Sequence, residues 1–183
     1  MMLPTHALAG MLLALPVLFV APEYAVPALL GGFLGGVLPD VDLYVGHRRT
    51  LHFPVYYSLL ALPSAGVLLA FPSQQTAFVA LLLTAAAAHS VADAFGGGLE
   101  LRPWEGTSTR AVYDHYHDRW IEPRRWVRYD GAPEDLALTG LLAVPLWMHV
   151  PDPLGWLVAG TASVALVYSV VRRVLPTVVD ALV

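Results

Sequence analysis

The chain has 183 residues, enough for one domain, of which 57% are apolar and 13% charged, well below the roughly 25% charged residues of ordinary soluble domains. Its net charge is −4 and it contains no cysteine, which excludes disulfides and thiolate metal sites and leaves His, Asp, Glu, backbone or water to hold any ion. The apolar residues fall in long runs, so the expected fold class is all-α, a single polytopic bundle of membrane helices over residues 1–183.

Six apolar segments follow in order, at about 3–21, 23–38, 53–72, 76–95, 136–150 and 154–175, near the roughly 20 residues a helix needs to cross a bilayer. The first is not preceded by the Lys or Arg of a secretory signal and reads as a retained helix. The second and fifth are short, which suits half-buried helices or a locally thinned bilayer.

All ten basic residues are arginine. The linkers at Ala21–Glu23, Pro72–Thr76 and Val150–Pro153 hold none of them. The alternate connections hold Arg48 and Arg49, six arginines from Arg102 to Arg128, and Arg172 with Arg173. If all six segments span, every arginine lies on one side. The positive-inside rule then places both termini and both long loops in the cytoplasm of a cell (inner) membrane protein. His6, His47, His52, His89, His115 and His117 fall at or near that side, and His149 falls opposite.

Gly31/Gly35 and Gly32/Gly36 form two small-xxx-small pairs on the second segment. They either allow close approach to a neighbour, such as the alanine-rich fourth segment, or simply loosen a short helix. Close approach would bring Asp40 and Asp42 to the cytoplasmic end of segment four. Residues 96–135 form the one sizeable polar region, a cytoplasmic loop in which Gly96–Gly98 stops segment four. A short helix is expected from Ser108, with Val112, Tyr116 and Trp120 on one stripe. Asp130–Gly131 reads as a turn, and Glu134 and Asp135 suit the N-terminus of segment five.

The polar residues with chemical potential cluster between apolar segments. Asp40 and Asp42 follow Pro39, with His47 and His52 close behind, and His89 and Asp93 lie one helical turn apart on segment four. Either pair alone could cap a turn or close a helix contact. Ionisable residues at such positions usually face a polar cavity. With His6 they amount to four histidines and three aspartates from four separated positions on one membrane face. That set suits two or three divalent ions, with zinc fitting best and manganese or magnesium as alternatives.

Thr5-His6 with Gly10, Leu38-Pro39-Asp40-Val41-Asp42, His47-Arg48-x-x-x-His52 and His89-x-x-x-Asp93 together resemble, over roughly residues 5–100, the ordered signature of the YdjM-like family. Its members are described as inner-membrane-associated metal-dependent hydrolases, grouped distantly with zinc phospholipase C and P1 nuclease. The resemblance implies a metal-ligand role for His6, Asp40, Asp42, His52, His89 and Asp93, with His47 also in the motif. The distant soluble relatives differ in being secreted and in using a mature N-terminal amino group as a ligand, for which no processing is expected here.

On that footing the expected activity is hydrolysis of a phosphoester, a small molecule or a lipid headgroup at the membrane face, by a metal-activated water. Asp40, Asp42, His47 and His52 are the candidate catalytic groups, with either aspartate able to bridge ions or accept a proton. Arg48 and Arg49 could hold an anionic substrate group, or serve only as positive-inside anchors. Asp114, His115, His117 and Asp118 form a second polar knot that suits a lid, a further ligand or a solvated amphipathic helix, and His149 suits the opposite interface. A metal-stabilised membrane scaffold or regulator is the main alternative. An ion-coupled transporter fits less well, because the opposite half is nearly bare of polar groups. The sparse arginines, interleaved with acids, give no nucleic-acid surface.

Overall fold

The computed structural model describes residues 1–182, with side chains through Val178. Its α-helices, among the described residues, are α1 Leu3–Ala14, α2 Val17–Val20, α3 Ala25–Val37, α4 Pro54–Ala70, α5 Gln74–Ala92, α6 Pro133–His149, α7 Leu154–Val171 and α8 Leu175–Leu182. Short 3-10 turns at Pro22–Tyr24 and Leu38–Tyr44 extend α3 at both ends, and another at Asp93–Phe95 extends α5. Each expected apolar segment is therefore helical. Four stretches, Leu3–Val20, Pro22–Tyr44, Gln74–Phe95 and Leu154–Val171, are long and apolar enough to cross a membrane. α4 and α6 are 17 residues each and carry Pro63 and Pro145 in their interiors.

The helices also present apolar surface outward. Leu62, Leu69, Leu141, Met148, Trp156 and Val170 are all exposed, an arrangement compatible with association with a membrane. Inside, Leu8, Met11, Leu29, Leu146 and Val158 form the buried core.

α3 is the central element, and its glycines decide how closely it is flanked. A Cβ on Gly31 or Gly35 would lie 2.3 or 2.1 Å from the carbonyl oxygens of Phe78 or Leu82 on α5. A Cβ on Gly32 or Gly36 would lie 2.2 or 2.3 Å from those of Gly10 or His6 on α1. The two small-residue pairs thus serve different partners, one on each side of α3, and both are close-approach surfaces.

α5 starts with a capping box: Ser73 Oγ accepts from the Thr76 N–H at 3.1 Å, and the Ser73 N–H donates to Thr76 Oγ1 at 2.9 Å. At the other end of α5 the segment 97–132 folds back over the bundle, with Arg124, Arg125 and Val127 N–H groups donating to the carbonyls of Ala94, Gly96 and Phe95. The helix expected from Ser108 is not formed. An antiparallel hairpin stands there instead, β1 Val112–Asp114 paired with β2 Arg119–Ile121, Tyr113 opposite Trp120. The reason is local: the Asp114 carboxylate accepts from the Tyr116 and His117 N–H groups, an aspartate turn that competes with helix, and Asp118 sits at φ 51°. Asp130–Gly131 is a turn as expected, with Gly131 at φ 82°.

The start of α6 is pinned to the start of α1. Asp135 is fully buried and accepts from the Met2 N–H, Thr5 Oγ1 and the Gly131 N–H at 2.8, 2.7 and 3.1 Å. Glu134 pairs outward with Arg128. The end of α7 is tied to the same region by Arg172, which donates from Nε and Nη2 to Asp130 at 2.7 and 3.2 Å. The arginine-bearing end of the bundle is therefore one assembled surface.

Candidate metal centre

Four elements deliver the site. The 3-10 turn after α3 carries Asp40 and Asp42 inward while Val41, Leu43 and Tyr44 remain exposed. The loop that follows carries His47, Arg48 and, directly before α4, His52. The end of α5 carries His89 and Asp93, and α1 carries His6.

Asp40, His52, His89 and Asp93 each offer a ligand atom, all within 4.8 Å of one another, and this group could bind a metal ion. His52 Nε2 lies 3.2 Å from Asp93 Oδ2 and 3.5 Å from Asp40 Oδ1, while His89 Nε2 lies 3.6 and 3.4 Å from the same two oxygens. Ligand atoms about 2.0–2.1 Å from a tetrahedral ion are about 3.3–3.4 Å apart, so the spacing fits two nitrogens and two oxygens around one small ion. His52 Nε2, His89 Nε2 and Asp93 Oδ2 are buried without a hydrogen-bond partner. Buried polar atoms rarely stay unsatisfied, and an ion among them would satisfy all three.

The tautomers are set from behind. The His52 Nδ1–H donates to Asp42 Oδ2 at 3.1 Å and the His89 Nδ1–H to the Gly36 carbonyl at 2.6 Å. Both rings then direct Nε2 toward the cluster, an arrangement common among histidines that bind metals. Burial alone would lower the His52 pKa, but the carboxylates of Asp40 and Asp93 outweigh it and push the ring up to about 9. An ion held at the cluster would have to displace that proton, as metals do at histidine ligands.

The other expected site residues surround this group. His6 donates from Nε2 to Asp93 Oδ1 at 3.0 Å and stacks on His89 with ring centroids 3.7 Å apart. Asp42 accepts from His47 Nδ1 at 3.1 Å as well as from His52, and takes the Leu51 N–H at 3.0 Å. Burial and the neighbouring Arg48 hold the His47 imidazole below its usual pKa. Arg48 is buried at φ 58°, its Nε 3.4 Å from Asp93 Oδ2 and its Nη1 donating to the Gly97 carbonyl at 2.7 Å. A non-glycine residue in that region is uncommon, and such strain clusters at functional sites. Arg49 faces elsewhere, its guanidinium 4.6 Å above the Tyr113 ring.

The second polar knot braces the loop. Tyr113 N–H donates to the Arg48 carbonyl and His115 Nε2–H to that of Arg49, whereas His117 donates to Asp114 within the hairpin. His149 donates back to the Pro145 carbonyl on its own helix. The Met1 amino group lies 3.1 Å from Asp93 Oδ1, a contact the residue pattern did not anticipate. A cavity of about 470 Å³ adjoins the cluster on its Asp40 side, bounded also by His47, Arg48 and residues of α7. Tyr168 and Arg172 on that wall were not singled out from the sequence, although with Val164 they are spaced at four-residue intervals on one helix face.

No family model, curated protein or solved structure matches the chain. The site is thus described by its own geometry: a buried two-histidine, two-aspartate group at one end of an apolar helical bundle.

Proposed function

We propose that this protein is a membrane-embedded, metal-dependent hydrolase of phosphoesters, as its resemblance to the YdjM-like family implies. The observation that carries the reading is the set of buried ligand atoms of His52, His89 and Asp93 that make no hydrogen bond, grouped with Asp40 at separations suited to one ion. Zinc suits two imidazoles and two carboxylates best, with manganese or magnesium as alternatives. His6, Asp42 and His47 surround the cluster and are the residues available to a second or third ion.

When bound, a divalent ion supplies a nucleophilic water at neutral pH and offsets charge on the substrate. The protein's own residues do the rest. His47, its Nδ1–H held by Asp42, keeps Nε2 free to take a proton from water and return it to the leaving oxygen. In that step the water oxygen bonds to phosphorus, the phosphorus–oxygen bond to the leaving group breaks, and the proton ends on the released alcohol. Arg48 borders both cluster and cavity, where its guanidinium can hold a phosphoryl oxygen. Its position favours Arg48 over Arg49 for substrate binding.

The six helical segments are proposed to cross a cell membrane, with termini and arginine-rich loops in the cytoplasm. A reporter inserted at the exposed Gly106–Thr107 turn is expected to register the cytoplasm; an exterior signal would overturn that orientation.

Metal analysis of detergent-purified protein, against Asp40→Ala and His89→Ala, tests the site itself. Bound zinc, manganese or magnesium in the wild type, lost in both variants, is expected, and a metal-free wild type in chelator-free buffer would sink the proposal. Metal without turnover of any phosphomonoester, phosphodiester or phospholipid would identify a metal-stabilised scaffold instead.

A further inference from the structure

The cavity beside the cluster has an unusual position. One wall is the ridge of Val164 and Tyr168 on α7 with Arg172 just past its end, and the facing wall is the start of α1 at Leu3 and Pro4. Asp40, Leu43, His47 and Arg48 close it on the side of the metal centre. Val164 precedes the end of α7 by seven residues, so this wall runs about 10 Å down the helix at 1.5 Å per residue. Both walls belong to stretches apolar and long enough to span a membrane.

The chemistry of the cavity changes along its length. Arg172 and Asp130 border it and pair with one another, Met1 and Glu100 line it as well, and Asp40, His47 and Arg48 are the polar group on the side of the cluster. Toward the outside the lining residues Leu3, Leu43 and Val164 are 39%, 56% and 61% exposed, so this part of the rim is apolar and accessible. With α1 and α7 in a bilayer, an apolar rim of this kind would meet lipid.

We infer that the site draws its substrate from the bilayer: an anionic phospholipid that enters between α1 and α7, with its phosphate at Arg48 and its acyl part along the Leu3–Val164 side. Turnover of such a lipid rests on the hydrolase proposal, but occupancy of the cavity does not. A soluble phosphoester shares the headgroup chemistry and lacks the acyl part, so the two sources can be told apart.

The test uses the full chain in phosphatidylcholine vesicles doped with phosphatidylglycerol that carries a diazirine in its acyl chain. Photolabel is expected at Pro4 and Met2, which are buried and line the cavity, as well as at outward residues such as Leu62 and Met148. Val164→Trp narrows the cavity and should reduce label at Met2 and Pro4 by about tenfold, leaving the outward label unchanged. Val167→Trp, one turn on at a position 62% exposed and outside the cavity lining, controls for folding. Label confined to outward residues, label at Pro4 that ignores Val164→Trp, or equal labelling by a diazirine phosphatidylcholine would each overturn the inference.

Zinc-loaded protein is then assayed on phosphatidylglycerol and on bis(p-nitrophenyl) phosphate. Val164→Trp is expected to slow the lipid reaction about tenfold and the soluble one by less than about twofold. Cleavage of the soluble diester with no inner label and no lipid cleavage leaves the hydrolase proposal standing and removes this one. Inner label with neither substrate cleaved does the reverse.

Discussion

Asp42 holds His52 and His47 with its two oxygens, Oδ2 at 3.1 Å from His52 Nδ1 and Oδ1 at 3.1 Å from His47 Nδ1. One carboxylate thereby orients a member of the four-residue cluster and a histidine bordering the cavity. Asp42→Asn keeps the shape but cannot accept from both rings, because one oxygen becomes an N–H donor. Metal affinity is expected to fall by about 10–100-fold, the usual cost of removing such an outer partner. Competition with a zinc chelator measures it, and an unchanged affinity would separate Asp42 from the metal centre.

Gly36 joins packing to chemistry, since its carbonyl accepts from His89 and a Cβ on it would strike the His6 carbonyl oxygen at 2.3 Å. Gly36→Ala is expected to destabilise the protein by about 1–3 kcal/mol through overpacking. Gly66→Ala on α4, where a Cβ meets nothing within 4 Å, should instead stabilise it by about 0.5–1 kcal/mol. Thermal unfolding in one detergent compares the two, and equal effects would refute the close α1–α3 contact.

Arg48 and Arg49 are adjacent in sequence and face different surroundings. Arg48→Lys loses the fork that reaches Gly97 and borders Asp93, and kcat/KM on a soluble phosphodiester is expected to fall about 10–100-fold, the loss of one charge-assisted contact. Arg49→Lys should change it by less than about threefold, since Arg49 lies over Tyr113. Equal losses would return both to the substrate side.

Arg128 holds the Glu134 carboxyl down to about 2, below its ordinary value of 4.5. A depressed carboxylate contributes stability above its unfolded pKa and loses it as pH falls through the folded one. Both side chains reach solvent, so screening keeps the contribution small. Wild type should exceed Glu134→Gln in melting temperature by a degree or two at pH 7, with the gap closing between about pH 4.5 and 2. A gap that persists at pH 2 would show that the ion pair is not its cause.

The placement of the helices was legible in the residues because long apolar runs and arginine-bearing linkers are properties of contiguous sequence. The hairpin at 112–121 was not, because Val112, Tyr116 and Trp120 satisfy a helical stripe, while Val112 and Trp120 serve equally well on two short strands with Tyr116 in the turn between them. Only the backbone capture by Asp114 separates the two.

The same division runs through the site. The sequence by itself determined that His52, His89, Asp40 and Asp93 would be stranded polar groups between apolar segments, because side-chain chemistry and spacing are written locally. Which atoms face one another was decided only by tertiary structure. Bare glycine faces bring α1, α3 and α5 close enough for the Gly36 carbonyl to hold His89. Asp42 stands behind His52 rather than among the four because the 3-10 turn after Pro39 presents Asp40 and Asp42 at different depths. Those relations depend on long-range packing distances of a few ångströms, and no residue pattern along the chain records them.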